Sequence, residues 1–147
     1  MEKMISEKAI SGTWGEAWID GEKFGEVYGL QANGDLVLED VPMCGVASGK
    51  GKKFTGVDYK GSIRFNKVNS KLVKKISDGI KARKIPYFTI VSKLADPASF
   101  GAERVALYNC LFTSIPLADW EASKLTQNEM PFVFEDHAFL DTIQESK

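Results

Sequence analysis

Cysteine and histidine are nearly missing from this chain of 147 residues, which has only Cys44, Cys110 and His137. Two thiols without C-x-x-C spacing do not make a zinc site. In a reducing compartment they are expected to be free, small hydrophobes. One histidine leaves no Ser-His-Asp or Cys-His set to be read from spacing. Glu135 and Asp136 precede His137, but adjacent side chains on a strand point to opposite faces. A surface or subunit-contact histidine is the expectation. No catalytic residue, metal ligand or cofactor is assigned.

Long apolar runs are also lacking. No stretch reaches 18 residues, so no membrane-spanning helix and no membrane anchor are expected. The first ten residues, "MEKMISEKAI", mix charges and hold no hydrophobic stretch. They read as neither secretory signal nor transit peptide, which predicts assembly in the cytoplasm of the host. The segment "CGVASGKG" at 44–51 fails as a phosphate-binding loop. Cys44 stands where that motif needs glycine, and Gly51 stands where it needs Ser or Thr.

What is present is enough apolar residue for one full core over 1–147: hydrophobic content is 44% and charged content 27%. Strand signals dominate. A first strand is predicted over 13–19, with Trp14 and Trp18 sharing a packed face. Asp20-Gly21 is a strong two-residue hairpin turn signal. A second strand follows over 24–32, a turn at Asn33-Gly34-Asp35, and a third strand over 36–41. Residues 57–66 alternate strictly. Val57, Tyr59, Ile63 and Phe65 form the dry side; Asp58, Lys60, Ser62, Arg64 and Asn66 form the wet side. A helix is predicted over about 70–84, capped by Asn69 or Ser70, with Leu72, Val73, Ile76 and Ile80 as its apolar stripe. Strands are predicted over 87–91, 104–115 and 132–135. Residues 118–128 read as a short helix or a loop, and the tail after 139 as loosely held.

Net charge is −1, yet the charges are sorted. Residues 16–40 carry seven acids and one base; 50–84 carry twelve bases and two acids; 85–147 carry four bases and nine acids. A basic block between acidic blocks suits sequence-independent nucleic-acid binding, with Phe54 and Tyr59 as stacking partners. It equally suits contact with acidic blocks of neighbouring copies.

Six short stretches, in order and at family spacing across about 10–137, carry a resemblance: "ISG" at 10–12, "DGE" at 20–22, "TG" at 55–56, "PYFT" at 86–89, "ERVALYN" at 103–109 and "PFVFED" at 131–136. The chain resembles the tail tube proteins of contractile-tailed bacteriophages, in the branch found in defective prophages and phage-tail-like bacteriocins. Trp14, Trp18 and the end after Phe139 depart from the pattern. The resemblance implies a mainly β fold: a β-sandwich or partial barrel with one amphipathic helix and an extended hairpin arm. Homo-hexameric rings would close into a continuous inner β-barrel and stack into a hollow tube.

Such a tube penetrates the target envelope and conducts DNA in a phage, in company with sheath, tape-measure, baseplate and tail-terminator proteins. It would reside in the virion or tail-like particle and catalyse nothing. The exported tube protein of a type VI secretion machine shares this fold and is the alternative. On this reading, 42–56 is an inter-subunit arm that is pliable at Gly45, Gly49, Gly51 and Gly56. Lys50, Lys52 and Lys53 keep it soluble, and Phe54 is its anchor. Candidates for the lumen wall are Glu26, Gln31, Asp35, Glu39 and Asp40, together with Asp58, Lys60, Ser62 and Arg64.

Overall fold

Alternating apolar and polar residues need a second layer to cover the apolar face, and the chain supplies it by bending one sheet. The computed structural model describes residues 9–42 and 51–144. A 3-10 turn at Gly12–Trp14 leads into β1 (Gly15–Ile19) and β2 (Glu22–Lys23). The long strands β3 (Val27–Val41) and β4 (Gly51–Asn66) follow, then α1 (Lys71–Lys81). The chain continues through β5 (Phe88–Leu94), β6 (Glu103–Phe112), β7 (Gln127–Val133) and β8 (Asp136–Asp141). All pairings are antiparallel, in the order β2-β1-β5-β6-β7-β4-β3, with β8 also on β6. The sheet is not closed on itself; β2 and β3 are its ends.

The bend lies in β6. Arg104 to Tyr108 pair with β8, whereas Leu111 and Phe112 pair with β7. Between them Asn109 takes φ 55°, a left-handed conformation that asparagine tolerates better than most residues. Its amide nitrogen donates to Glu135 Oε2 at 3.1 Å, and Glu135 N donates to Tyr108 O at 3.1 Å. The strand therefore changes partner at one residue, and the two halves of the sheet face each other. Between them lie Ile63, Ile90, Leu107, Cys110, Met130 and Phe132, all nearly free of solvent. Phe88, Phe112, Phe132 and Phe134 form a chain of ring contacts 5.4–5.9 Å apart.

Asp20 and Gly21 have φ 50° and 84°, the positive pair that the two-residue turn requires. Other expectations are corrected. Ala17 and Ile19 are the buried side of β1, while Trp18 is half-buried and Trp14, in the 3-10 turn, is exposed. The expected strand over 24–32 starts only at Val27, and no turn interrupts Asn33-Gly34-Asp35. Gly34 has no positive φ; a Cβ there would come within 3.2 Å of Tyr59 and Val57. It permits close packing inside one continuous strand, whose pairing with β4 overrides the local turn preference. Of the two readings of 118–128, the loop holds: residues 113–126 form a loop, and Gln127 and Asn128 already belong to β7. The tail stays paired through Asp141, and Gln144 N donates to Phe100 O at 2.8 Å.

The helix begins where Asn69 Oδ1 accepts from Lys71 N at 3.1 Å. It ends at Lys81, short of the expected 84, in a Schellman turn. Lys84 N donates to Gly79 O at 2.8 Å and Arg83 N to Ile80 O at 3.1 Å. Gly79 must lack a side chain, because a Cβ would approach Pro86 Cδ at 2.7 Å and Lys84 O at 2.8 Å. At this last turn Gly79 meets the subunit, so Ile80 is left 51% exposed. Ile76 is buried, with Leu72 and Val73 partly buried beside it.

Two outcomes follow for thermal or denaturant unfolding. Ile76→Ala removes a fully packed side chain and should cost about 2–5 kcal/mol. Arg83 has φ 57° at a position where glycine is the usual residue. Arg83→Gly should therefore raise stability by about 1 kcal/mol. An unchanged or lower melting temperature for Arg83→Gly would show that the turn carries no strain.

Candidate functional site

Strand β3 has 15 residues and β4 has 16, well beyond the usual strand length. Only Lys60 to Asn66 of β4 find a second neighbour, in β7. From Gly34↔Tyr59 outward to Val41↔Gly51 the two strands pair with no third strand among the described residues. That segment projects about eight residues, roughly 25 Å at about 3.3 Å per residue. An isolated two-stranded ribbon is marginal in water, so the projection needs a partner.

Register sorts its side chains. Leu30, Leu36 and Leu38 lie opposite Ile63, Val57 and Phe54. Gln31, Asn33, Asp35 and Glu39 lie opposite Ser62, Lys60, Asp58 and Lys53. A β-bulge at Thr55 makes this sorting possible. Val37 pairs with Gly56 and Leu38 with Phe54, leaving Thr55 extra, and its hydroxyl donates to Val37 O at 3.1 Å. The extra residue shifts parity, so Phe54 joins the face of Val57 and Tyr59. Leu36, Leu38 and Phe54 are 62%, 49% and 55% exposed on that face.

Of the candidate lumen residues, Gln31, Asp35, Glu39, Asp58, Lys60 and Ser62 form one polar row. Asp40 falls on the apolar row, opposite Lys52 and ion-paired with it. Glu26 lies in the turn before β3, where its carbonyl accepts from Asn66 N at 2.9 Å. Arg64 stands opposite Gly29, and its guanidinium nitrogens occupy the space of the missing side chain, 2.6 Å from where a Cβ would be. Of the arm residues, Gly51, Lys52, Lys53, Phe54 and Gly56 lie in strand β4. Gly45, Gly49 and Lys50 lie outside the described residues.

The sorted charges meet within one chain. Lys52 pairs with Asp40, Lys60 with Asp35 at 3.2 Å, Lys71 with Glu22 at 3.0 Å and Lys75 with Asp20 at 3.9 Å. Each cation comes from the basic block and each acid from the first acidic block. The antiparallel fold lays one block on the other, which corrects the expectation that neighbours supply these acids. It also removes most of the hairpin's free charge for a nucleic-acid backbone.

Behind the hairpin's apolar face is an open cleft of about 970 Å³, walled by Leu30, Val57 and Tyr59 on one side and Val105, Leu107 and Phe139 on the other. His137 stands at its edge, with Nδ1 3.0 Å from Tyr59 Oη. Asp136 Oδ1 accepts from the His137 backbone N–H, so it does not orient the ring. Burial pushes the Cys110 thiol up to about 12, which leaves no thiolate for chemistry at neutral pH. The bulge and the extent of the ribbon were the features missed from sequence; Thr55-Gly56, within an otherwise alternating run, was the available signal.

Comparison with known proteins agrees with this architecture. The family model for phage tail tube proteins matches residues 2–141. The phage-like element PBSX protein XkdM of Bacillus subtilis (strain 168) is 35% identical over 133 residues, covering 89% of this chain and 90% of that protein. Among solved structures, the sheath/tube terminator of an extracellular contractile injection system superposes with a TM-score of 0.75 at 11% identity, covering 93% of this chain and 100% of that one. A chain of the sheath–tube complex of the same kind of system gives 0.69 at 12% identity, covering 93% and 95%.

The tightest approach in the hairpin is at Gly61, where a Cβ would collide with Gln31 O and come within 2.8 Å of Phe132 Cζ. Gly61→Val should cost about 1–3 kcal/mol by overpacking, read as a lower denaturation midpoint. Equal midpoints would mean that β3 and Phe132 do not close on this position.

Proposed function

Because this chain belongs to the phage tail tube protein family, we propose that it is the ring-forming subunit of the inner tube of a contractile tail or tail-like particle. Six copies form a ring, rings stack, and strands of neighbouring subunits continue one another into an inner barrel. The observation that carries this reading is the projecting hairpin, with one apolar exposed face and one polar face. A monomer has no use for an apolar ribbon in water. A ring covers it by laying the ribbon on the next subunit, and pairing across subunits removes the free edge of β3.

The polar row through Gln31, Asp35, Asp58 and Ser62 then faces the lumen. Mixed charge on this wall, with Lys60 offsetting Asp35, suits passage of DNA without retention. Sheath, tape-measure, baseplate and terminator proteins are the partners, the particle is the location, and the protein catalyses nothing.

The test is assembly of purified full-length protein. Leu36→Asp combined with Phe54→Asp places charge on side chains that are already exposed, so thermal stability should shift by less than about 1 kcal/mol. By negative-stain microscopy the wild type should form rings or tubes and the double variant should stay dispersed. Tubes of wild-type length from the variant would overturn the role of the hairpin. A wild type that forms neither rings nor tubes would overturn the tube reading itself.

A further inference from the structure

The cations of α1 divide into two groups. Lys71, Lys74 and Lys75, in its first half, pair with Glu22, Asp78 and Asp20. Lys81, Arg83 and Lys84, at its end, make no side-chain hydrogen bond or ion pair among the described residues. Arg83 is held at φ 57° where glycine would sit without strain. Around these cations Ile80, Ile85 and Tyr87 are 51%, 45% and 59% exposed. The turn thus presents unpaired positive charge set among apolar side chains.

The complement lies on the same chain. The loop 113–126 between β6 and β7 is long for a connection without regular structure. It is tied down at its roots, where Thr113 N donates to Pro131 O and Lys67 N donates to Thr126 O, both at 2.9 Å. Between the roots, Leu117 and Trp120 are 74% and 80% exposed. Asp119 has no partner among the described residues, and Glu121 meets only Lys124 of the same loop, at 3.1 Å. Exposed tryptophan is a residue type enriched at interface anchors, and the acids beside it offer charge complementary to the α1 turn.

Both features sit at the same end of the sheet. The Lys67–Thr126 bond puts the loop's second root beside the start of α1, and the pairing Phe88↔Cys110 puts the exit of α1 beside the end of β6. Within one chain they share no hydrogen bond, ion pair or ring contact among the described residues. A contact between unlike patches of two copies is heterologous, and a heterologous contact whose rotation closes gives a ring.

We infer that the Arg83 turn of one subunit docks on the Asp119–Trp120 loop of the next, making a lateral contact inside each ring. This rests on the ring reading above and names the residues that set the order of neighbours. The contact is heterologous, so each subunit offers one patch to each of two neighbours.

Charge reversal tests it with the full-length protein. One variant carries Arg83→Glu and Lys84→Glu; the other carries Asp119→Lys and Glu121→Lys. Each alone sets like charges against each other at every contact and should raise the concentration needed for rings about tenfold by sedimentation velocity. An equimolar mixture restores opposite charges at both kinds of contact, if the two alternate around the ring. Its ring threshold should return to near the wild-type value. Circular dichroism melts check that both variants fold.

A second measurement uses Arg83→Gly, which should melt higher than wild type yet assemble less readily. A purely structural turn would not give that opposition. Wild-type assembly by either reversal variant overturns the inference, and so does a folded pair whose mixture fails to recover. If the variants form normal rings but lose binding to sheath protein, the turn faces another partner and the inference also fails. The tube reading would survive each of these results, because wild-type rings are its own test.

Discussion

A two-stranded ribbon that runs past its sheet exposes two free backbone edges and, here, one row of apolar side chains. The rest of the molecule is arranged around that ribbon. Its base is held by β7 and by Phe132, Met130 and Ile63, all inside the core. Its outer half pairs with no further strand among the described residues. The outer side chains of that row, Leu36, Leu38 and Phe54, are exposed, whereas the core is complete without them.

Two local devices let one pair of strands hold both the core and the exposed row. The bend at Asn109 lets β6 lie in both halves of the sheet, so the core closes over β4. The bulge at Thr55 rotates the outer end of β4 relative to its base. Without the extra residue Phe54 would lie on the row of Asp58 and Lys60, and the apolar face would stop at Val57. Each device costs a residue its regular geometry, and each is stabilised by a hydrogen bond to an adjacent segment of the same chain: Asn109 to Glu135 and Thr55 to Val37.

Electrostatics is divided in the same manner. The largest sorted blocks neutralise each other where the hairpin and α1 meet acids of the N-terminal third. These pairs are exposed and individually weak, worth at most about 1 kcal/mol each. Their main consequence is that the projecting ribbon carries little net field. Uncompensated charge remains at the end of α1 and on the loop beyond β6, where apolar side chains are also exposed. Charge beside exposed apolar area marks surface that solvation alone does not explain.

The sequence by itself determined the strand-rich character, the Asp20-Gly21 turn, the dry and wet sides of 57–66, and the existence of the helix. All of these depend on interactions between residues close in sequence, so periodicity and turn chemistry report them. The family likeness was legible for a related reason: its short motifs fall on the Asp20-Gly21 turn, on core positions such as Phe88 and Leu107, and on Asn109 at the bend. Tertiary structure decided what periodicity cannot. Gly34 looked like a turn because Asn-Gly-Asp prefers one locally, but a sixteen-residue partner strand outweighs that preference. Trp18 looked like core because it shares parity with Trp14, but Trp14 lies in the 3-10 turn and Ala17 and Ile19 hold the inward parity. Glu26 and Asp40 looked like members of one acidic wall. A turn removed the first and register placed the second on the opposite face, because side-chain direction follows from pairing and a shift of one residue reverses it.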